Sequence, residues 1–242
     1  MSTQSLSLPE FERRLTEVLT AGLESWVHQL LYIKRVYPRD TFHNSTPSFL
    51  GTRLFLNRHP DVVSYIAEAV KVAAPSIALG VAESFAVVIT EQRDESNPPV
   101  MLESYALSFQ RTDRSEPTTV QLPTSSIDTM QRGIRDLLLS VNSLDRSRLS
   151  NSDSISFFVK LHVPTKNKTC DALNEAFAVG EWGSAETINP AETAPGQVVR
   201  PLYRVHEAHS DMLIQFFLRR PSSQKRKRRN NVEACDEDVD KT

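Results

Sequence analysis

Ser84-Phe-Ala-Val-Val-Ile-Thr90, then Val100-Met-Leu-Glu-Ser-Tyr-Ala-Leu-Ser-Phe-Gln110, with the breaker segment Glu91 to Pro99 between them, is the stretch on which the fold turns. Both runs are rich in β-branched and aromatic residues and are bounded by turn formers, so they read as a hairpin with a long connection. Ser154 to Val163 (SISFFVKLHV) reads as a further strand, the central one of the sheet. Strand-like runs return at Gln197 to Val205 and Met212 to Leu218, Thr118 to Leu122 adds a short candidate, and Phe49 to Asn57 another.

On either side of the hairpin the period is helical. Ser7-Leu-Pro-Glu10 has the form of a capping box with a proline in the first turn. Apolar residues then recur in steps of three and four from Leu8 through Phe11, Leu15, Leu19, Trp26 and Leu30, so a long helix is expected to reach Val36 or Tyr37 before Pro38. A second helix opens at Pro60, with Val62, Val63, Ile66, Val70 and Ala73 as its inner face and Pro75 closing it. A third runs from Ser125 or Ser126 to about Val141 on Ile127, Met130, Ile134, Leu137, Leu138 and Val141. Helices on one side of a mostly antiparallel sheet make an α+β domain.

Composition excludes several chemistries. The chain has 242 residues, 39% hydrophobic and 24% charged, ample for a sizeable core. Its seven glycines are so spaced that neither dinucleotide nor P-loop fingerprints can be written, and the hydrolase elbow is absent. Two cysteines, Cys170 and Cys235, build no disulfide framework and point to a reducing compartment. No apolar run approaches the roughly 20 residues that span a bilayer, and the N-terminus has no secretory pattern. His206-Glu-Ala-His209 places its histidines three apart, not the four that a helical zinc site needs, so no metal is expected. No nucleophile and base stand at a suggestive spacing, and no catalytic residue is assigned.

The net charge of −2 conceals an asymmetry. From Arg219 onward lie eight basic and five acidic residues, which leaves 20 basic and 25 acidic, a net −5, over residues 1–218. Such a body is a poor match for a nucleic-acid backbone, and no specific contact with one is expected. Residues 221–242 have the composition of a disordered tail, basic then acidic. Its block Lys225, Arg226, Lys227, Arg228, Arg229 reads first as a nuclear-import signal, then as a non-specific DNA-contacting arm, or as a solvated tail without a role.

Between Val163 and Gly196 regularity is lost, yet the segment carries Phe177 and Trp182. A connection that long is normally functional. Tyr37, Tyr65 and Trp182 are either ordinary core aromatics or the lining of a site for a partner peptide.

Leu31-Tyr-Ile-Lys-Arg-Val-Tyr-Pro38 with Phe42, His59-Pro-Asp-Val-Val-Ser-Tyr-Ile66 and Ser210-Asp-Met-Leu213 resemble the HORMA-domain family over residues 8–220. Within it the likeness is greatest to the branch of accessory subunits of translesion DNA polymerase zeta, the mitotic-arrest-deficient-like B branch. The resemblance implies a non-enzymatic module without cofactor, whose C-terminal segment, about residues 164–218, passes as a safety belt over a short peptide that adds a strand to the sheet. Implied partners are the catalytic subunit of DNA polymerase zeta, the deoxycytidyl-transferase translesion scaffold polymerase, and other HORMA proteins or a second copy. The spindle-checkpoint branch, which binds mitotic regulators, is the closely related alternative, and an unrecognised α+β enzyme the contrasting one.

Residue by residue, Tyr65 and Trp182 match aromatic residues that line the family's peptide pocket, and Tyr37 lies in the matching V-Y-P. Arg135 matches the arginine of a dimer surface, and Val199-Arg-Pro-Leu202 matches a belt segment L-x-P-L that faces the scaffold polymerase. The chain departs from the pattern at Val199 in place of that leucine, at Phe216 and Leu218 in place of a glutamine and a tyrosine, and at Ser140 in place of a lysine.

Overall fold

In the computed structural model of the chain, residues 5–44, 51–93, 96, 98–111, 122–123, 125–146, 149, 154–164, 197–205 and 212–221 are described. Trp182, His206, His209 and the basic block Lys225 to Arg229 lie outside them.

The first helix, α1 (Leu8–Ile33), starts as expected at Ser7 with Pro9 in its first turn. The capping box does not form: Ser7 makes no side-chain cap, and the Glu10 carboxylate is taken instead by Arg13 and Arg14. The helix also ends earlier than Pro38 requires. Arg35 adopts a left-handed φ of 54°, its N–H bonds the Tyr32 carbonyl, and the Val36 N–H reaches back to Leu31. That is a Schellman stop, made here without glycine.

Helix α2 (Pro60–Ala78) runs past Pro75, which had been expected to close it. Proline removes only the bond to the carbonyl of Lys71, on the exposed side, and the next turn re-forms, with the Ser76 hydroxyl bonded to Val72 O and the Leu79 N–H to Pro75 O. Its inner face holds Ile66, Val70 and Ala73 as expected, but Val63 points to solvent. Helix α3 (Ser125–Asn142) matches its pattern, with Ile127, Met130, Ile134, Leu137, Leu138 and Val141 all buried.

The main sheet is antiparallel and five-stranded: β4 (Ser84–Glu91), β5 (Val100–Arg111), β7 (Ile155–His162), β8 (Gln197–Val205) and β9 (Met212–Pro221), in the order β7-β4-β5-β9-β8. The hairpin β4–β5 forms as read. Strand β7, expected at the centre, is an edge among the described strands, of which it pairs only with β4, while β9 takes the far side of β5. Two small ladders complete the described strands. In one, β2 (Phe42–Asn44) pairs with β3 (Phe55–Asn57), the end of the strand expected from Phe49. In the other, β1 (Ser5–Leu6) pairs with β6 (Leu122–Pro123); residues 118–121 of that expected strand are outside the described set.

All three helices cover one face of the sheet, with α1 between α2 and α3. Trp26 is fully buried at the centre, its ring 6.1 Å from Phe85 on β4 and 5.8 Å from Phe216 on β9. Each such large apolar side chain contributes about 1.5–3 kcal/mol by burial, and aromatic pairs add about 0.5–1.5 kcal/mol. Among the described residues no helix is long and apolar enough to cross a membrane.

Candidate functional site

Two of the three expected aromatic residues, Tyr37 and Tyr65, gather beside β7, an edge among the described strands. In the β4–β7 ladder Val159 stands opposite Val87, and its N–H is donated to the Tyr65 hydroxyl at 3.0 Å, away from β4. Backbone groups of Phe157, Val159 and Leu161 therefore face the edge, since N–H and C=O of alternate residues share one side of a strand. Among the described residues no strand pairs there. Such an edge is a template for one more strand.

Tyr65 and Tyr37 reach this edge from two separate motifs, 59–66 and 31–38, and meet on a residue that neither motif contains. Phe157 takes the Tyr65 ring at 5.5 Å and 78°, and the Tyr37 ring at 6.2 Å and 90°. Both are edge-to-face contacts, a favoured arrangement of aromatic pairs. Tyr65 is 42% exposed, a high value for a large aromatic, while Tyr37 is half-buried. Burial, and then the neighbouring Tyr65, push the Tyr37 hydroxyl above its usual range, so it remains a protonated donor.

Local chemistry fixes where Tyr65 stands. Buried Asn57 at the end of β3 receives the His59 N–H on its side-chain oxygen at 2.8 Å, which sets the residue preceding Pro60 and hence the start of α2. The Asn57 N–H is donated to His28 Nδ1 at 3.3 Å, tying that start to α1. His28 is held neutral: burial, with nearby His43, lowers its pKa to about 4. Tyr37 is placed by the Schellman stop, which turns the chain after Arg35 and buries Val36.

The remaining candidates are spread over other surfaces. Arg135 is exposed on α3, one turn before Leu139, itself 47% exposed. On the opposite sheet edge Val199 pairs with Arg219 and Pro201 with Phe217. Leu202 sits at the irregularity that follows and packs against the core. Phe216 and Leu218, the two departures in the last strand, are buried beneath α1 and its neighbours. Among the described residues no group of three His, Cys, Asp or Glu side chains stands together to hold a metal.

No protein-family model and no curated protein matches the chain at a significant level. Solved structures do match. A chain of the crystal structure of the mitotic checkpoint complex is similar at TM-score 0.57 and 15% identity, over 85% of this chain and 97% of that one. C. elegans HTP-2 bound to HTP-3 closure motif 1 gives 0.55 at 11% identity, over 92% and 96% of the two chains. C. elegans HTP-1 bound to the HIM-3 closure motif gives 0.53 at 10%, over 90% and 97%. At these identities the likeness shows the fold, which is the α+β fold of HORMA domains.

Proposed function

We propose that this protein is a non-catalytic HORMA adaptor that takes a short proline-containing peptide along the β7 edge. The observation that carries this reading is the edge of Phe157, Val159 and Leu161, which no strand among the described residues pairs, with Tyr65, Tyr37 and Phe157 gathered beside it. Main-chain bonds to a sheet edge supply affinity, and aromatic faces select prolines, which lack the N–H that the ladder would otherwise use. The neighbours of the same fold that were solved with closure motifs support a peptide as the ligand class.

The peptide we favour belongs to the catalytic subunit of DNA polymerase zeta, with the adaptor bridging it to other translesion factors, among them the deoxycytidyl-transferase scaffold polymerase. The support is the L-Y-I-K-R-V-Y-P segment at 31–38 and the basic block at 225–229, which we read as a nuclear-import signal. The second reading is a spindle-checkpoint adaptor, favoured by the likeness to a chain of the mitotic checkpoint complex. Affinity purification after DNA damage, followed by mass spectrometry, separates them. Recovery of polymerase subunits upholds the first reading, and recovery of checkpoint components alone upholds the second.

A further inference from the structure

The amide at the middle of the β7 edge is already taken by the chain itself. Of the three residues whose backbone faces away from β4, Phe157, Val159 and Leu161, the central one gives its N–H to the Tyr65 hydroxyl at 3.0 Å. A strand carbonyl accepts an amide at the same separation, about 2.9–3.0 Å. A strand added to β7 would run about 4.7–4.9 Å away and set a carbonyl oxygen on this N–H. The hydroxyl oxygen stands where that carbonyl oxygen would go. Two oxygens do not share the position, so the Tyr65 bond and a continuous added ladder exclude each other.

Strand β7 has little else to keep its edge from pairing. It runs eight residues, Ile155–His162, without a proline and with a single lysine. Short length, proline and charge are the usual means by which an edge strand is kept from pairing. None of residues 154–164 is buried, and the Tyr65–Val159 bond lies at the surface. A side-chain cap on the central amide supplies the protection that the strand's own sequence lacks.

The two tyrosines beside the edge differ in their freedom. Tyr37 is half-buried and follows Val36, which is packed into the core. Tyr65 is exposed, in the second turn of α2, beside exposed Val63, Ser64, Ala67 and Glu68, and its ring rests on Phe157 alone among the described aromatic rings. A helical tyrosine has two open χ1 rotamers, near 180° and −60°, so rotation about one bond can take the hydroxyl off Val159 while α2 stays in place. Tyr37 is thus the fixed wall of the site and Tyr65 its movable one.

We infer that Tyr65 is the gate of the β7 edge. Its hydroxyl stands in for the carbonyl of an incoming strand, holds the Val159 amide until a peptide arrives, and is displaced when the peptide pairs. The cap is a property of the chain alone, whereas its role as a gate rests on the peptide-adaptor reading. Each binding event exchanges one hydrogen bond on Val159 for another, so the hydroxyl slows entry and sets a threshold that a weakly pairing segment does not pass.

The test compares the full-length parent with Tyr65→Phe, which keeps the ring and removes the cap. Amide exchange is read residue by residue by NMR. Val159 should exchange about threefold faster or more in the variant, the worth of one net hydrogen bond, while Phe158 and Lys160, whose backbone faces β4, should be unchanged. Stopped-flow anisotropy then follows a fluorescent, proline-containing dodecapeptide selected against the parent from a random display library. Its association should be about two- to fivefold faster with Tyr65→Phe, and Val159 should be equally protected in the two complexes. Unchanged exchange at Val159, or a selected peptide that associates no faster with the variant, overturns the gate. A library that yields no binding peptide overturns the adaptor reading, and the gate with it, so the two failures are told apart.

Discussion

Glu103 of β5 holds Arg220 of β9: the guanidinium Nε lies 2.6 Å from one carboxylate oxygen. The other oxygen receives the Tyr105 hydroxyl at 2.5 Å and stands 3.2 Å from Lys34 Nζ. Lys34 and Glu103 are 1% and 4% exposed, and Lys34 also reaches the Asp145 carbonyl, so one carboxylate ties the end of α1, the hairpin and the last strand. A buried pair of this kind need not stabilise more than apolar residues would, but losing one member is costly. Glu103→Ala leaves Lys34 buried without its counter-charge and is expected to cost about 3–5 kcal/mol. Arg220→Ala removes the half-exposed member and is expected to cost about 1.5–3 kcal/mol. Hydrogen exchange locates the effect: in Arg220→Ala the β9 amides should exchange faster relative to β4, and uniform acceleration through the whole sheet would refute the clasp.

At the β7 edge the prediction distinguishes packing from hydrogen bonding. Phe157→Ala removes the ring on which Tyr37 and Tyr65 both rest, and should weaken a proline-containing peptide at least tenfold, about 1.4 kcal/mol. Tyr65→Phe keeps the ring and removes only the hydroxyl that receives the Val159 N–H, so its effect on peptide affinity should be smaller. Isothermal titration measures both. Equal affinity in the Phe157 variant and the parent would remove the aromatic cluster from the site.

Much of this architecture was legible in the sequence, and the parts that were not share a physical cause. The periodic residues of α1 and α3 and the β4–β5 runs are local patterns, and they formed as read. Strand order is not local: SISFFVKLHV looks like a central strand by composition, and only the pairing of β9 with β5 leaves it at the edge. For the same reason Phe157 and Phe158 were indistinguishable as adjacent strand residues. The ladder puts Phe157 with the two tyrosines and Phe158 beneath Lys160. Tyr37 and Tyr65 were singled out by motif, whereas Trp182 lies outside the described residues.

His28 gives the fold a definite acid response. Its folded pKa of about 4 lies below the usual 6.5 because burial, and then His43, oppose its charged form. Between those values the unfolded chain binds a proton that the native state does not. Stability contributed by keeping His28 neutral is therefore complete above pH 6.5 and falls as pH drops toward 4, by up to about 3 kcal/mol. Urea melts of the parent at pH 7 and pH 5 should show this loss. The His28→Gln variant, which keeps a possible acceptor for the Asn57 N–H, should show a smaller one; an equal loss would place the acid sensitivity elsewhere.

The α1–α3 contact depends on a missing side chain. A Cβ added at Gly22 would lie 2.8 Å from Ile134 Cγ2 and 3.0 Å from its Cδ1. Alanine gains about 1 kcal/mol of helix propensity at an interior position, yet overpacking at such a contact costs about 1–3 kcal/mol. Since Ile134 is β-branched and 3% exposed, its Cγ2 cannot swing clear, and Gly22→Ala should be destabilising on balance. Ile134→Ala alone should also be destabilising, by the loss of buried apolar volume. Combining the two removes the clash while restoring part of the lost volume, so the double variant should be more stable than the sum of the single losses. A thermodynamic cycle measured by urea denaturation checks this; strict additivity would mean that the helices do not meet at these two residues.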